Sequence, residues 1–169
     1  RLLLLFLQDF CSNITVQAAG LFLVGYRCSL LYCSDMSKPY TLVIDFETAN
    51  YSATSACSLG LIVLEKQAPK KYTIVHREGF LIRPPTPLFT FTHIHGLTWS
   101  HVKEAKTFEE VWNTKLKTWF SSAAKLVAHN IAFDHRVLLA TAAHYKIDVP
   151  VLRGECTVKL SRKILNIHP

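Results

Sequence analysis

The sequence predicts an α/β fold of three layers: a mixed sheet, with a three-stranded antiparallel meander and then parallel strands, flanked by helices. Three observations carry this reading. Apolar runs of strand length crowd residues 40–82, with turn-forming stretches between them. From Thr107 onward, helical stripes alternate with short apolar runs. Two of the apolar runs end in acidic motifs, Asp45-Phe46-Glu47-Thr48 and His129-Asn130-Ile131-Ala132-Phe133-Asp134. Strand ends are where open sheets of this kind gather their ligands.

The elements follow in order. Tyr40–Phe46 reads as a buried strand. A loop of small residues, Thr48 to Ala56, leads to a second strand at Cys57–Leu64. The polar stretch Glu65–Lys71, with Pro69, reads as a hairpin connection. A third strand, Tyr72–Ile82, ends at Arg83-Pro84-Pro85, and a Pro-rich segment then carries Thr92-His93-Ile94-His95-Gly96-Leu97-Thr98. Thr107, with Glu110 three residues on, forms a capping box that opens a helix. Phe108, Val111, Trp112, Leu116, Trp119 and Phe120 make one apolar stripe on it, so its tryptophans are core packing. Lys125–Ala128 is a fourth strand and Ile131 to Tyr145 a second helix. Leu152–Cys156 is a short last strand, and Val158–Leu165 a closing helix.

Composition narrows the function classes. With 169 residues, 50% apolar and 18% charged, the chain has room for one domain with a proper core and is not a disordered polyelectrolyte. Its net charge of +7 fits a polyanionic partner, nucleic acid first. None of the five cysteines falls in a Cys-x-x-Cys pair, which fits reduced thiols and a cytoplasmic location. Residues 1–35 differ in character: an apolar leader without helical or strand periodicity. A membrane span over Ile14 to Cys33 is interrupted by Gln17 and Arg27, and Asp9 spoils a signal peptide. Met36 is the only methionine and directly precedes the first strand. We therefore expect residues 1–35 to be upstream sequence and 36–169 to be the domain, incomplete at its C-terminus.

The acidic motifs carry the chemistry. In a strand, Asp45 and Glu47 point to the same side and repel unless a cation neutralises them. Asp134 stands in the first turn of the helix after strand four. Three carboxylates delivered by separate elements suit a hard cation, Mg²⁺ or Mn²⁺. Taken singly, an Asp-x-Glu pair is commonly a solvated surface feature, and Asp134 a first-turn acid complementing the helix dipole; their joint occurrence favours a site. His93 and His95 form a weaker candidate metal pair, while His76, His101, His135 and His144 read as ordinary surface or helix-face residues. Cys57 and Cys156 read as small buried fillers.

These motifs, together with Ile94-His95-Gly96-Leu97-Thr98 between them, give a chain that from Pro39 to Pro169 resembles the DnaQ-like, DEDD-type 3′–5′ exonucleases of the ribonuclease H-like fold. The DEDDh subtype fits best. The resemblance implies a two-metal nuclease, with Asp45, Glu47 and Asp134 as three of four metal-holding carboxylates and catalytic residues. It implies substrate contacts at Phe46, Thr48, His95, Gly96 and Asn130, with single-stranded 3′ ends as substrate and DNA favoured over RNA. No small organic cofactor and no membrane are expected. The family's third motif, His-x-x-x-x-Asp, supplies the fourth acid and the general base. Here that spacing occurs only at His129 and Asp134, inside the second motif. The base is therefore expected beyond Pro169, and residues 1–169 alone are expected to hydrolyse nucleic acid poorly. Two other readings stand beside this one: a catalytically silent nucleic-acid-binding module of the same fold, and a polymerase-associated proofreading domain.

Overall fold

The computed structural model describes residues 40–69 and 71–165. The expectations for residues 1–35, for Met36 and for the end of the chain fall outside the described residues. Strand β1 (Tyr40–Thr48) alternates along its whole length. Tyr40, Leu42, Ile44, Phe46 and Thr48 are buried, while Thr41, Val43, Asp45 and Glu47 are half-buried on the opposite face.

Strands β2 (Ala56–Ala68) and β3 (Lys71–Leu81) complete the antiparallel meander. Strand β2 runs further than the sequence predicts, while β3 begins and ends one residue earlier than expected. Glu65, Lys66 and Ala68 stay paired with Thr73, Tyr72 and Lys71, so the expected hairpin link over Glu65–Lys71 shrinks to a tight turn after Ala68. Polarity in that stretch marks exposure rather than a loop, because backbone pairing can carry a ribbon beyond the core.

The Pro-rich segment holds two single-turn helices that sequence periodicity does not show, α1 (Thr92–His95) and α2 (Trp99–Val102). Gly96 closes α1 at φ 79°, left-handed backbone that favours glycine, and its N–H reaches Thr92 O at 2.8 Å. The capping box at Thr107 forms as expected. Glu110 accepts from the Thr107 N–H at 2.7 Å, and Thr107 Oγ1 accepts from the Glu110 N–H at 3.3 Å. Helix α3 (Phe108–Val111) then widens to π geometry over Trp112–Leu116 and continues as α4 (Lys117–Ser122). Strand β4 (Ala123–Ala128), helix α5 (Ile131–His144), strand β5 (Arg153–Cys156) and helix α6 (Thr157–Leu165) follow.

The five strands lie in the order β3-β2-β1-β4-β5, with β4 parallel to β1 and β5 parallel to β4. This is the mixed sheet the sequence predicts. One core joins Leu42, Ile44 and Phe46 to Leu59, Leu61 and Val63, to Phe108, Leu116 and Phe120, and to Val137 and Leu138. Each such side chain contributes about 1.5–3 kcal/mol on leaving water. Trp112 is buried, and Trp119 packs edge-on to Tyr40 with ring centroids 5.6 Å apart. Both tryptophans therefore serve the core. No helix among the described residues is long and apolar enough to cross a membrane.

Candidate active site

The site begins where a hydrogen-bond ladder stops. The β1–β4 pairing runs only to Val43 and Val127, so the end of β1 continues without its parallel neighbour. The Phe46 N–H lies in that unpaired stretch, and Asp134 Oδ1 accepts it at 2.9 Å. The turn from β4 into α5 passes through Asn130 at φ 59°, a left-handed conformation that asparagine tolerates better than most residues. Asn130 makes no side-chain cap, so its side chain stays exposed at the mouth of the turn. Four residues on, Asp134 is 1% exposed.

Burial dominates the electrostatics. Desolvation pushes the Asp134 carboxyl up to about 7, with Asp45 and Glu47 adding to the rise and the Phe46 N–H opposing it. Desolvation, then the neighbouring Glu47, raises Asp45 to about 6. None of the three acids forms an ion pair with a described lysine, arginine or histidine. Negative charge is thus brought together with no ion pair to a described cation, and the neighbouring His129 opposes the rise at Asp45 only in small part.

The donors suit a hard cation in kind, since carboxylate oxygens are what Mg²⁺ and Mn²⁺ prefer. They do not form a ready-made cage. Among the described residues, no three histidine, cysteine, aspartate or glutamate side chains are grouped so as to hold an ion. Asp134 commits one oxygen to Phe46, so any share it takes in holding an ion falls to the other.

A register shift between Glu47 and Thr48 re-aims the chain just past the acids. His95 holds this corner. Its Nδ1 accepts from the Leu97 N–H at 3.0 Å, which leaves the proton on Nε2 to be donated to Thr48 O at 3.1 Å. With both nitrogens engaged, His95 has no lone pair for a metal, and the His93/His95 pair is excluded as a ligand set. Gly96 comes with it, so both expected substrate residues of this segment are fastened to the end of β1. His129 reaches the other way, its Nδ1 3.0 Å from Thr157 Oγ1 at the start of α6. His101 is the exposed helix-face residue expected, and its Nδ1 also accepts the Thr98 N–H at the start of α2.

The two cysteines differ. Cys57 is a buried filler as expected, and burial raises its thiol to about 12. Cys156 departs from that expectation, being only half-buried. Burial would raise it, but N–H groups of Lys159, Ile131, Val158 and Asn130 outweigh that and hold it below the usual thiol range.

A cavity of about 120 Å³ opens beside Thr48, walled by Asn50, Tyr51, Phe91, Phe133 and Arg136. Sequence analysis did not single out Tyr51, Phe91 or Arg136. The available signal was a large aromatic in a loop otherwise made of small residues.

The comparisons with known proteins bear on the family and the fold. The profile of the exonuclease family, of the ribonuclease T type, matches residues 42–169. The PolC-type DNA polymerase III of Streptococcus pneumoniae is 31% identical over 139 residues, which is 80% of this chain; the chain spans only 9% of that relative's length. Among solved structures, the nuclease domain of 3′hExo, a DEDDh family member bound to rAMP, superposes with a TM-score of 0.61 at 17% identity, over 78% of this chain and 72% of that one. Exonuclease I of E. coli, in complex with a 5cy-dA13 oligonucleotide, gives 0.62 at 15% identity, over 78% of this chain and 31% of its own. With the acidic strand ends, the sheet order and the profile in agreement, the chain belongs to the exonuclease family of DnaQ-like, ribonuclease H-like fold.

Proposed function

We propose that this chain is a metal-dependent 3′–5′ exonuclease acting on single-stranded nucleic-acid ends, with two Mg²⁺ or Mn²⁺ ions held by Asp45, Glu47 and Asp134. The observation that supports it is the gathering of these acids at the end of β1 and the first turn of α5 with no ion pair to a described cation. Bound there, such ions supply Lewis acidity to a phosphodiester. The protein's own part is positional. Asp45 and Glu47 project from one face of a rigid strand, and Asp134 is anchored by the Phe46 N–H. Thr48, pinned by His95, presents the backbone beside which a terminal nucleotide lies, and Asn130 borders the same end.

The test is a Mn²⁺ titration of thermal stability, run beside hydrolysis of an oligonucleotide labelled at either end. Support consists of a Mn²⁺-dependent rise in Tm and loss of nucleotides from the 3′ end, both removed by Asp45→Asn. The titration is the sharper arm, because it reads cation binding by these acids whatever the rate. Absence of any Mn²⁺ effect on stability would favour a silent binding module instead. The match to a PolC-type polymerase supports a second reading, a proofreading domain working beside a polymerase. Faster removal of a mispaired than of a paired 3′ terminus would support it.

A further inference from the structure

Helix α6 carries charge that the fold does not use. Its nine residues include Lys159, Arg162 and Lys163 but no acid, and none of the nine is buried. Positions i, i+3 and i+4 share one face of a helix, so the three cations stand side by side, while Leu160 and Ile164 fall on another face. Their side chains make no hydrogen bond or ion pair with any described residue. Glu155, the nearest acid along the chain, is already met by Lys125 at 3.0 Å. The helix is also fixed where it starts. Thr157 Oγ1 lies 3.0 Å from His129 Nδ1, and the Cys156 thiol gathers N–H groups from the starts of both α5 and α6. Cys156 pairs with Ala128 in the parallel β4–β5 ladder, so α6 leaves the sheet two strands away from Asp45 and Glu47. At strand spacing that is about 10 Å, and Lys163 lies about 6 Å further along the axis than Lys159.

We propose that the Lys159, Arg162 and Lys163 face of α6 grips the backbone phosphates of a nucleic-acid strand upstream of the end that lies at the acids. The ligand class rests on the nuclease function proposed above; the new element is where the rest of the strand is held. Three clustered carboxylates repel a polyanion, so its hold must come from cations set apart from them. A face beginning about 10 Å across the sheet corresponds to about three nucleotides at a helical rise of about 3.4 Å each. Cations spaced along one helix face follow a phosphate backbone without reading its bases. A basic amphipathic helix also suits an anionic membrane surface. Here the helix is only about 13 Å long and is fastened by its first turn beside the acidic site, which favours the strand.

The experiment measures binding of 5′-fluorescein-labelled (dT)2 and (dT)8 to the whole chain by anisotropy, against NaCl concentration, in Ca²⁺ and in EDTA. One variant combines Lys159→Gln, Arg162→Gln and Lys163→Gln. A control removes the same charge elsewhere, with Lys66→Gln, Lys71→Gln and Lys103→Gln. All six side chains are exposed, and an unchanged Tm confirms that each variant is folded. The α6 variant should weaken (dT)8 at least tenfold and lower its salt slope by about two units, close to three single-strand phosphate contacts. In Ca²⁺ it should leave (dT)2 within twofold, and the control should weaken (dT)8 less than threefold. Equal losses in the variant and the control make the effect one of net charge and overturn the proposal. Equal losses for (dT)2 and (dT)8, or no binding of (dT)8 by wild type in either buffer, overturn it as well. So does loss of binding to phosphatidylserine-containing vesicles in the α6 variant with (dT)8 unaffected, which would make the helix a membrane contact. The nuclease reading fails separately: (dT)8 binding through α6 that persists in EDTA, with no Mn²⁺ response of stability, would sink the metal site and leave this face standing.

Discussion

Two clusters of charge show opposite solutions to one problem. On the sheet edge, Glu78 lies between His76 Nε2 and Lys115 Nζ, each at 3.1 Å, and His76 stacks on Trp119. That carboxylate is half-exposed and balanced within the fold. At the end of β1 and the first turn of α5, Asp45, Glu47 and Asp134 form no ion pair with a described cation, and burial lifts Asp45 to about 6 and Asp134 to about 7. The first cluster is complete as folded. The second carries a desolvation cost that protonation or an arriving cation would relieve, which is what the proposed metal site requires.

The largest expected effect breaks the acidic cluster at its centre. With Mn²⁺ a hundredfold above its dissociation constant, mass action adds about 2.7 kcal/mol to stability. Asp45→Asn should remove most of this; scanning calorimetry with and without Mn²⁺ checks it. Next comes pH. Both aspartates titrate in the folded chain above their ordinary 3.8, so the folded state binds more protons than the unfolded one. Their stabilising contribution is therefore full below about pH 4 and is lost as pH rises through about 6 and about 7. Metal-free urea unfolding should show this decline between pH 4 and 8, and Mn²⁺ should flatten it. Asp134→Asn keeps an oxygen for the Phe46 N–H and should stabilise the metal-free protein at pH 8 by about 1–3 kcal/mol. A destabilised variant at that pH would instead make Asp134 a purely structural acceptor.

A smaller effect probes the frame around the acids. Gly96→Ala, at φ 79°, should cost about 1 kcal/mol. It should also shift the His95 ring resonances, since His95 is bonded on both sides of this turn. The smallest effect belongs to the balanced cluster. Lys115→Ala should cost no more than about 0.5 kcal/mol and less still in high salt, because the pair is exposed and screened. A cost comparable to that of Gly96→Ala would erase the contrast between the two clusters.

Much of this was legible in the linear chain. The alternation of Tyr40 to Thr48, the capping box at Thr107 and the acids closing two apolar runs are local patterns, set by residues within one turn or two pleats of each other. Strand ends at Glu65–Lys71 were misjudged because exposed ribbons lack the apolar alternation on which strand prediction depends. The one-turn helices around His95 are too short to show a period at all.

Local chemistry thus decided, from sequence alone, that three carboxylates would stand at strand ends and that the sheet would be mixed. Tertiary structure alone decided what each acid experiences. Asp134 accepts from Phe46 across 88 residues of chain only because β4 stops short of the end of β1. The proton on His95 Nε2 follows from carbonyl and amide neighbours that no spacing rule connects. Tyr51, Phe91 and Arg136 share a cavity for the same reason. Desolvation and hydrogen-bond geometry depend on which distant segments meet, and a one-dimensional pattern encodes only what its near neighbours can enforce.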